Sequence, residues 1–174
     1  DAGDVLFNYT GSLTTAQAQA MTIVNLTGTS GNDSLTGGIN ADTLIGGDGN
    51  DTIAGRGGAD ALDGGNGIDT VSYADSANAV SINLSTAVVS GGDAAGDTIT
   101  NFENIIGSAN ADTLIGDGIV NILTGGAGND SLGGGAGADR NAADGAAADH
   151  GALQHLVSTT FGNPSEARDL AGGP

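Results

Sequence analysis

Residues 46–54 read GGDGNDTIA: a glycine pair, a third glycine two places on, then an aspartate, then one isolated branched apolar residue. Near-copies flank it, GGINADTLI at 37–45, GRGGADALD at 55–63 and GGNGIDTVS at 64–72. With the first glycine as position one, nine-residue repeats start without a gap at 28, 37, 46, 55 and 64, and again at 107, 116, 125 and 134. Position six is Asp33, Asp42, Asp51, Asp60 and Asp69 in the first block, and Asp112, Asn121, Asp130 and Asp139 in the second. Position eight is aliphatic at Leu35, Leu44, Ile53, Leu62 and Val71, then at Leu114, Leu123 and Leu132, and the pattern fails at Asn141. A fixed period of this kind marks a repeat architecture in which stacked units bury a shared core.

Composition limits what that core can be. Glycine fills 33 of 174 positions, aromatic residues are only 3%, tryptophan is absent, and lysine does not occur. Too few large side chains are present to fill a conventional globular interior. The net charge is −18, from 21 acids against three arginines. Such a chain repels itself and does not favour nucleic acid or an anionic membrane, but it attracts cations. With no cysteine, disulfide staples and thiolate metal sites are excluded. No apolar run approaches the ~20 residues that span a bilayer, so membrane insertion is not expected. The chain opens at Asp1 with no signal-peptide pattern and reads as a fragment or a processed form.

The repeat resembles the repeats-in-toxin (RTX) nonapeptide, G-G-x-G-x-D-x-U-x with U aliphatic, over 28–72 and 107–139. The resemblance implies an all-β fold: a parallel β-roll, or β-solenoid, in which two nonapeptides make one coil. Each repeat then supplies a turn and a very short strand. The aliphatic residue points inward and stacks on its counterparts, while the aspartate stays at the turn. Successive repeats alternate sides, so aspartates two repeats apart face one another. The implied pairs are Asp33 with Asp51, Asp42 with Asp60, Asp51 with Asp69, Asp112 with Asp130, and Asn121 with Asp139. Together with turn carbonyls these would hold about three to five calcium ions. Hard oxygen ligands without imidazole or thiolate suit calcium, and flexible backbone ligands suit magnesium poorly. The plainer alternative is that the aspartates only cap turns, as aspartate readily does. Departures from the motif include Thr29, Arg56, Ser108 and Asp117 at position two, and Asn40, Asn110 and Ile119 at position four. Arg56 places a cation near a proposed site, with a side chain able to project to solvent. Asn121 offers a neutral oxygen and implies a weaker site.

The chain divides into an N-terminal cap segment (1–27), a first repeat block (28–72), an insert (73–106), a second block (107–142) and a tail (143–174). Residues 12–21 read as a short helix with Ser12 as N-cap, ahead of a strand-like TIVNL. A cap is expected there because a solenoid otherwise exposes its first strand edge. In the insert, Val80, Ile82 and Leu84 alternate with polar residues as a strand does, and Ile99, Phe102, Ile105 and Ile106 offer larger inward groups. The insert is expected to form irregular coils of one continuous roll of about six coils, with a loop bulging near 85–96. Asp93 and Asp97 stand at a shifted spacing, open either to an ion or to an acidic turn. In the tail, 146–157 has helical character, and His150 and His155 do not form the H-E-x-x-H of zinc proteases.

The function implied by the resemblance is a non-enzymatic calcium-binding module of a secreted bacterial protein, extracellular or at the cell surface, that folds on calcium after type I export. Alternatives are a non-catalytic appendage of a secreted metalloprotease, lipase or polysaccharide epimerase, and a surface-layer or adhesin module. Either would have other domains of a larger protein as partners. No zinc motif and no G-x-S-x-G occurs.

Overall fold

A computed structural model of the chain describes residues 25–143. The expected helices at 12–21 and 146–157, and both histidines, lie outside them. The strands are β1 (Asn25–Thr27), β2 (Ser34–Thr36), β3 (Thr43–Asp48), β4 (Thr52–Ala54), β5 (Ala61–Asn66), β6 (Thr70–Ser72), β7 (Ser81–Asn83), β8 (Val88–Ser90), β9 (Thr98–Thr100), β10 (Asn104–Ile106), β11 (Thr113–Ile115), β12 (Ile122–Gly126), β13 (Ser131–Gly133) and β14 (Arg140–Ala143). Each is short because the repeat supplies one inward residue, flanked by outward positions often filled by threonine, which suits a half-buried pleat.

The strands stack as a parallel β-roll with two walls. One wall is a six-stranded sheet in the order β2-β4-β6-β10-β12-β14. The other is divided into β1-β3-β5-β9 and β8-β7-β11-β13. Within the blocks, partners are two repeats apart and in register: Leu44 beside Leu26 and Leu62, Ile53 beside Leu35 and Val71, Leu114 beside Leu132. Position-eight side chains of all three sheets join a single core with Tyr73, Val80, Ile82, Ile99, Phe102 and Ile105.

That core is thin for the chain it must order. Within the blocks each nonapeptide but the last contributes one inward aliphatic side chain to it.

The six-stranded wall crosses the insert without a break, because β10 pairs directly with β6, Ile105 beside Val71. On the divided wall the insert adds β9 to β5 and β7 to β11. The stretch 85–96, expected as a bulging loop, instead holds β8, antiparallel to β7, and a 3-10 turn at Gly92–Ala94. A tight turn closes this hairpin: Ala87 N–H donates to the Leu84 carbonyl, Thr86 N–H donates to Asn83 Oδ1, and Ala87 takes φ 53°. Ile105 is fully buried while Ile106 is only half-buried, because adjacent residues of a strand face opposite sides. At the other end, β14 forms beside β12 although Asn141 occupies the place of an aliphatic residue, and the register shifts between Thr124 and Gly126.

Candidate metal centre

Position six immediately precedes each repeat strand, so stacking the strands stacks these side chains into rows along the roll's edges. Along the six-stranded wall the row runs Asp33, Asp51, Asp69, Glu103, Asn121, Asp139. Along the divided wall it runs Asp42, Asp60, Asp97, and then Val80, Asp112, Asp130. One hydrogen bond recurs: the position-six N–H donates to Oδ1 of the acid one coil on. It links Asp33 to Asp51 at 2.7 Å, Asp42 to Asp60 at 2.8 Å, Asp51 to Asp69 at 2.8 Å, Asp112 to Asp130 at 2.9 Å and Asn121 to Asp139 at 3.0 Å. The five residue pairs implied by the repeat are thus brought together.

Two further acids continue the rows: Asp97, which its shifted spacing leaves open between an ion and an acidic turn, and Glu103, which the repeat does not mark. Asp60 N–H donates to Asp97 Oδ1 at 2.8 Å, and Asp69 N–H donates to Glu103 Oε2 at 2.7 Å. Their signal in the sequence is the acid-x-aliphatic triplet alone, Asp97-Thr98-Ile99 and Glu103-Asn104-Ile105, without regular glycines ahead of it. Asp97 is satisfied on both sides, since Tyr73 Oη donates to its Oδ2 at 2.9 Å.

The second carboxylate oxygen divides the repeats into two classes. In the repeats starting at 28, 37, 107 and 116, the position-two N–H donates back to the position-six side chain: Thr29 to Asp33 Oδ2 at 2.6 Å, Gly38 to Asp42 Oδ2 at 2.6 Å, Ser108 to Asp112 Oδ2 at 2.6 Å, and Asp117 to Asn121 Oδ1 at 2.8 Å. These turns are latched. In the repeats starting at 46, 55, 64 and 125, position two takes positive φ, at Gly47 (106°), Arg56 (68°), Gly65 (98°) and Gly126 (86°). Position four does the same at Gly49, Gly58, Gly67 and Gly128. These turns are open, and Oδ2 of Asp51, Asp60, Asp69 and Asp130 is buried with no hydrogen-bond partner. The repeat starting at 134 has the open backbone as well, with φ 87° at Gly135 and 148° at Gly137.

Backbone carbonyl oxygens lie beside the position-six side chains of both classes, at Gly28, Gly37, Gly107 and Gly116 in the latched turns and at Gly46 and Gly64 in the open ones, so what distinguishes the open turns is the unbonded Oδ2. A Cβ on Gly46 would collide with both Asp51 Oδ2 and the Gly64 carbonyl oxygen, so oxygens of two adjacent coils converge there. Gly64 is placed likewise between Asp69 Oδ2 and the Asn101 carbonyl. Among the described residues no three Asp, Glu, His or Cys side chains gather at one point. A cation held here would be bound by single carboxylates supplemented by backbone carbonyls. That is a hard-oxygen set of the kind calcium accepts.

The electrostatics describe the same demand. Burial pushes the Asp60 carboxyl up to about 7, aided by the charges of Asp97, Asp42 and Asp93 and opposed by the Asp42 N–H. Burial also raises Asp51, against the bond from Asp33 N–H, with the Asp69 and Asp33 charges adding to the rise. Asp97 and Glu103 are raised by burial too, each opposed by a backbone N–H. A buried carboxylate must be neutralised, paired or coordinated to a metal. Among the described residues no ion pair reaches Asp51, Asp60, Asp69 or Asp130. Arg56 pairs with exposed Asp75 at 3.2 Å, and its side chain is only 14% exposed rather than projecting to solvent.

At Asn121 the amide works in both directions. Its Nδ2 donates to the Glu103 carbonyl at 2.7 Å and to Asp117 Oδ1 at 3.2 Å, while its Oδ1 takes the Asp117 N–H. Hydrogen bonds thereby fill this coil.

A family model for the RTX calcium-binding nonapeptide repeat (4 copies) matches residues 25–53, 36–71 and 106–140. No curated protein matches the chain.

Proposed function

Through these repeats the chain belongs to the RTX calcium-binding nonapeptide repeat family, and on that premise we propose that it is the calcium-responsive β-roll of a secreted bacterial protein, folding when calcium binds after export. The roll is a structural, non-catalytic module. Among the described residues no helix is long and apolar enough to cross a membrane.

The observation that carries this reading is the set of buried, unpartnered Oδ2 atoms at Asp51, Asp60, Asp69 and Asp130. An unsatisfied buried polar group costs about 1–3 kcal/mol, and more when charged. Four of them in a chain with so thin a core favour the unfolded state, where water solvates each carboxylate. Calcium reverses the balance by supplying positive charge to those oxygens. Asp51, Asp60, Asp69, Asp130 and Asp139 give the side-chain ligands, and three to five ions fit that set. Asp33, Asp42, Asp112 and Asn121 lie on the same rows, each with a side-chain oxygen already taken by its own position-two N–H. At a free calcium of about 100 times the dissociation constant, each independent site adds about 2.7 kcal/mol to stability. Several such sites match the whole stability of an ordinary domain, about 5–15 kcal/mol.

Circular dichroism through a calcium titration, with the chain first held in chelator, tests the proposal. The expected result is little β signal in chelator and a rise to the full signal with calcium. A full β signal in chelator, or no calcium uptake by calorimetry, would overturn it.

A further inference from the structure

The latched turns have a pattern. They are the turns of 28–36 and 37–45, which open the first block, and of 107–115 and 116–124, which open the second. The open turns follow them in each block. Chemistry separates the classes at two positions. Position two is Thr29, Ser108 or Asp117 in three of the four latched turns, and position four is Asn40, Asn110 or Ile119 in three of them. Side chains there resist the positive φ of the open turn, so the N–H at position two stays turned toward its own acid. Thr29 and Ser108 reinforce the latch with their hydroxyls, Thr29 Oγ1 donating to Asp33 Oδ2 at 2.9 Å and Ser108 Oγ donating to Asp112 Oδ1 at 2.9 Å.

We propose that the opening coil of each block is calcium-silent: Asp33, Asp42, Asp112 and Asn121 close their own turns as hydrogen-bond acceptors and give no ligand to an ion, so calcium enters only at the open turns that follow. This rests on the calcium reading above and refines it, since pairing alone would assign ligand roles to all nine position-six residues. Asp112 shows how completely the acceptors are used. Its Oδ1 takes the Val80 N–H and the Ser108 hydroxyl, and its Oδ2 takes the Ser108 N–H. At 121 the same latch is made by an amide, so a negative charge is not needed for it. The opening coils are therefore pre-closed templates on which the ion-dependent coils stack.

Calcium stoichiometry of the full chain tests this, by calorimetric titration of the wild type, Asp112→Asn, Asp42→Asn, Asp130→Asn and Asp51→Asn. The asparagine variants at 112 and 42 can keep the latch through Oδ1 as Asn121 does, although at 112 the amide nitrogen then faces the Val80 N–H and lowers stability without touching an ion. They should bind as many ions as the wild type, with affinities changed less than about threefold. Asp130→Asn and Asp51→Asn should each lose at least one ion. Loss of an ion at Asp112 or Asp42, or no loss at Asp130 and Asp51, overturns the assignment. A wild type that takes up no calcium would instead sink the calcium reading itself.

Discussion

The repeat blocks and the insert solve one problem in two ways. Both place acids just ahead of their strands, in rows along the roll's edges. In the blocks, Asp51 sits in a turn with no further donor for its Oδ2. In the insert, Asp97 occupies the equivalent place and has both oxygens bonded, one by Asp60 N–H and one by Tyr73 Oη. The insert is also where the core gains Tyr73 and Phe102, while the blocks contribute only aliphatic side chains to it. Where the chain can afford a large side chain it carries its own donor. In the open turns of the blocks no donor is left for Oδ2, and the charge has to come from outside.

The broadest way to break that contrast is to neutralise the carboxyls without calcium. In the calcium-free roll Asp60 titrates at about 7, raised by burial and by its acid neighbours, against about 3.9 for an unperturbed aspartate. A folded-state value above the unfolded one means the stabilisation is fully present below about pH 4 and is lost as pH rises through about 7. Burial shifts Asp51, Asp97 and Glu103 in the same direction. In chelator, acidification from pH 7.5 to 5 should therefore increase β structure, by circular dichroism. Asp60→Asn should flatten part of that pH response. A calcium-free chain that loses β structure on acidification would show that the buried carboxylates are not what holds the roll open.

A narrower change converts the insert's solution into that of the blocks. Tyr73→Phe keeps the buried ring and removes the donor to Asp97 Oδ2, leaving a carboxylate oxygen with the environment of Asp51 Oδ2. Tyr73 is buried and its own ionisation is suppressed by burial and by Asp97, so its hydroxyl stays a donor at any working pH. The loss should be about 1–3 kcal/mol of stability at saturating calcium. Denaturant titration measures it, and paired titrations at two calcium concentrations show whether the variant leans more on the ion. A change under about 0.5 kcal/mol, the usual range for an unremarkable surface substitution, would mean that water already serves Asp97.

Much of this was legible in the residues. The inward ladder from Leu35 to Leu132 follows from position eight, because a two-residue side-chain period inside a nine-residue repeat leaves one inward place per strand. The five pairs at position six follow from alternation between two walls. What escaped the sequence depends on contacts remote along the chain. Asp97 joins its row only because β9 docks on β5 across an insert, and β8 folds back because Asn83 and Leu84 accept the turn's N–H groups. The split into open and latched turns was written at positions two and four, in Thr29, Ser108, Asp117 and Ile119. It reads as mere departure from a motif until the N–H of position two is seen bonded to its own acid in one set of turns and not in the other.

Arg56 is the exception within that split, and it gives the smallest and sharpest test. It holds the open-turn conformation at φ 68°, where the other open turns have Gly47, Gly65, Gly126 and Gly135. A residue with a Cβ in this region carries about 1–2 kcal/mol of strain. Its Nε and Nη1 are buried without partners, which adds to the cost. Against this stands the ion pair with Asp75, whose carboxylate is 72% exposed, so the pair is worth little in water. Glycine would also bring more backbone entropy to the unfolded chain, opposing the gain by about 0.5–1 kcal/mol. The terms leave Arg56→Gly more stable by about 1 kcal/mol or less, a rise of a few degrees in the melting midpoint at saturating calcium. Removing a positive charge from the turn that presents Asp60 should tighten calcium binding in the same variant. A lower midpoint together with unchanged affinity would mean that Arg56 holds the insert's 73–76 turn to the first block, and that the strain at 56 is the consequence of that contact.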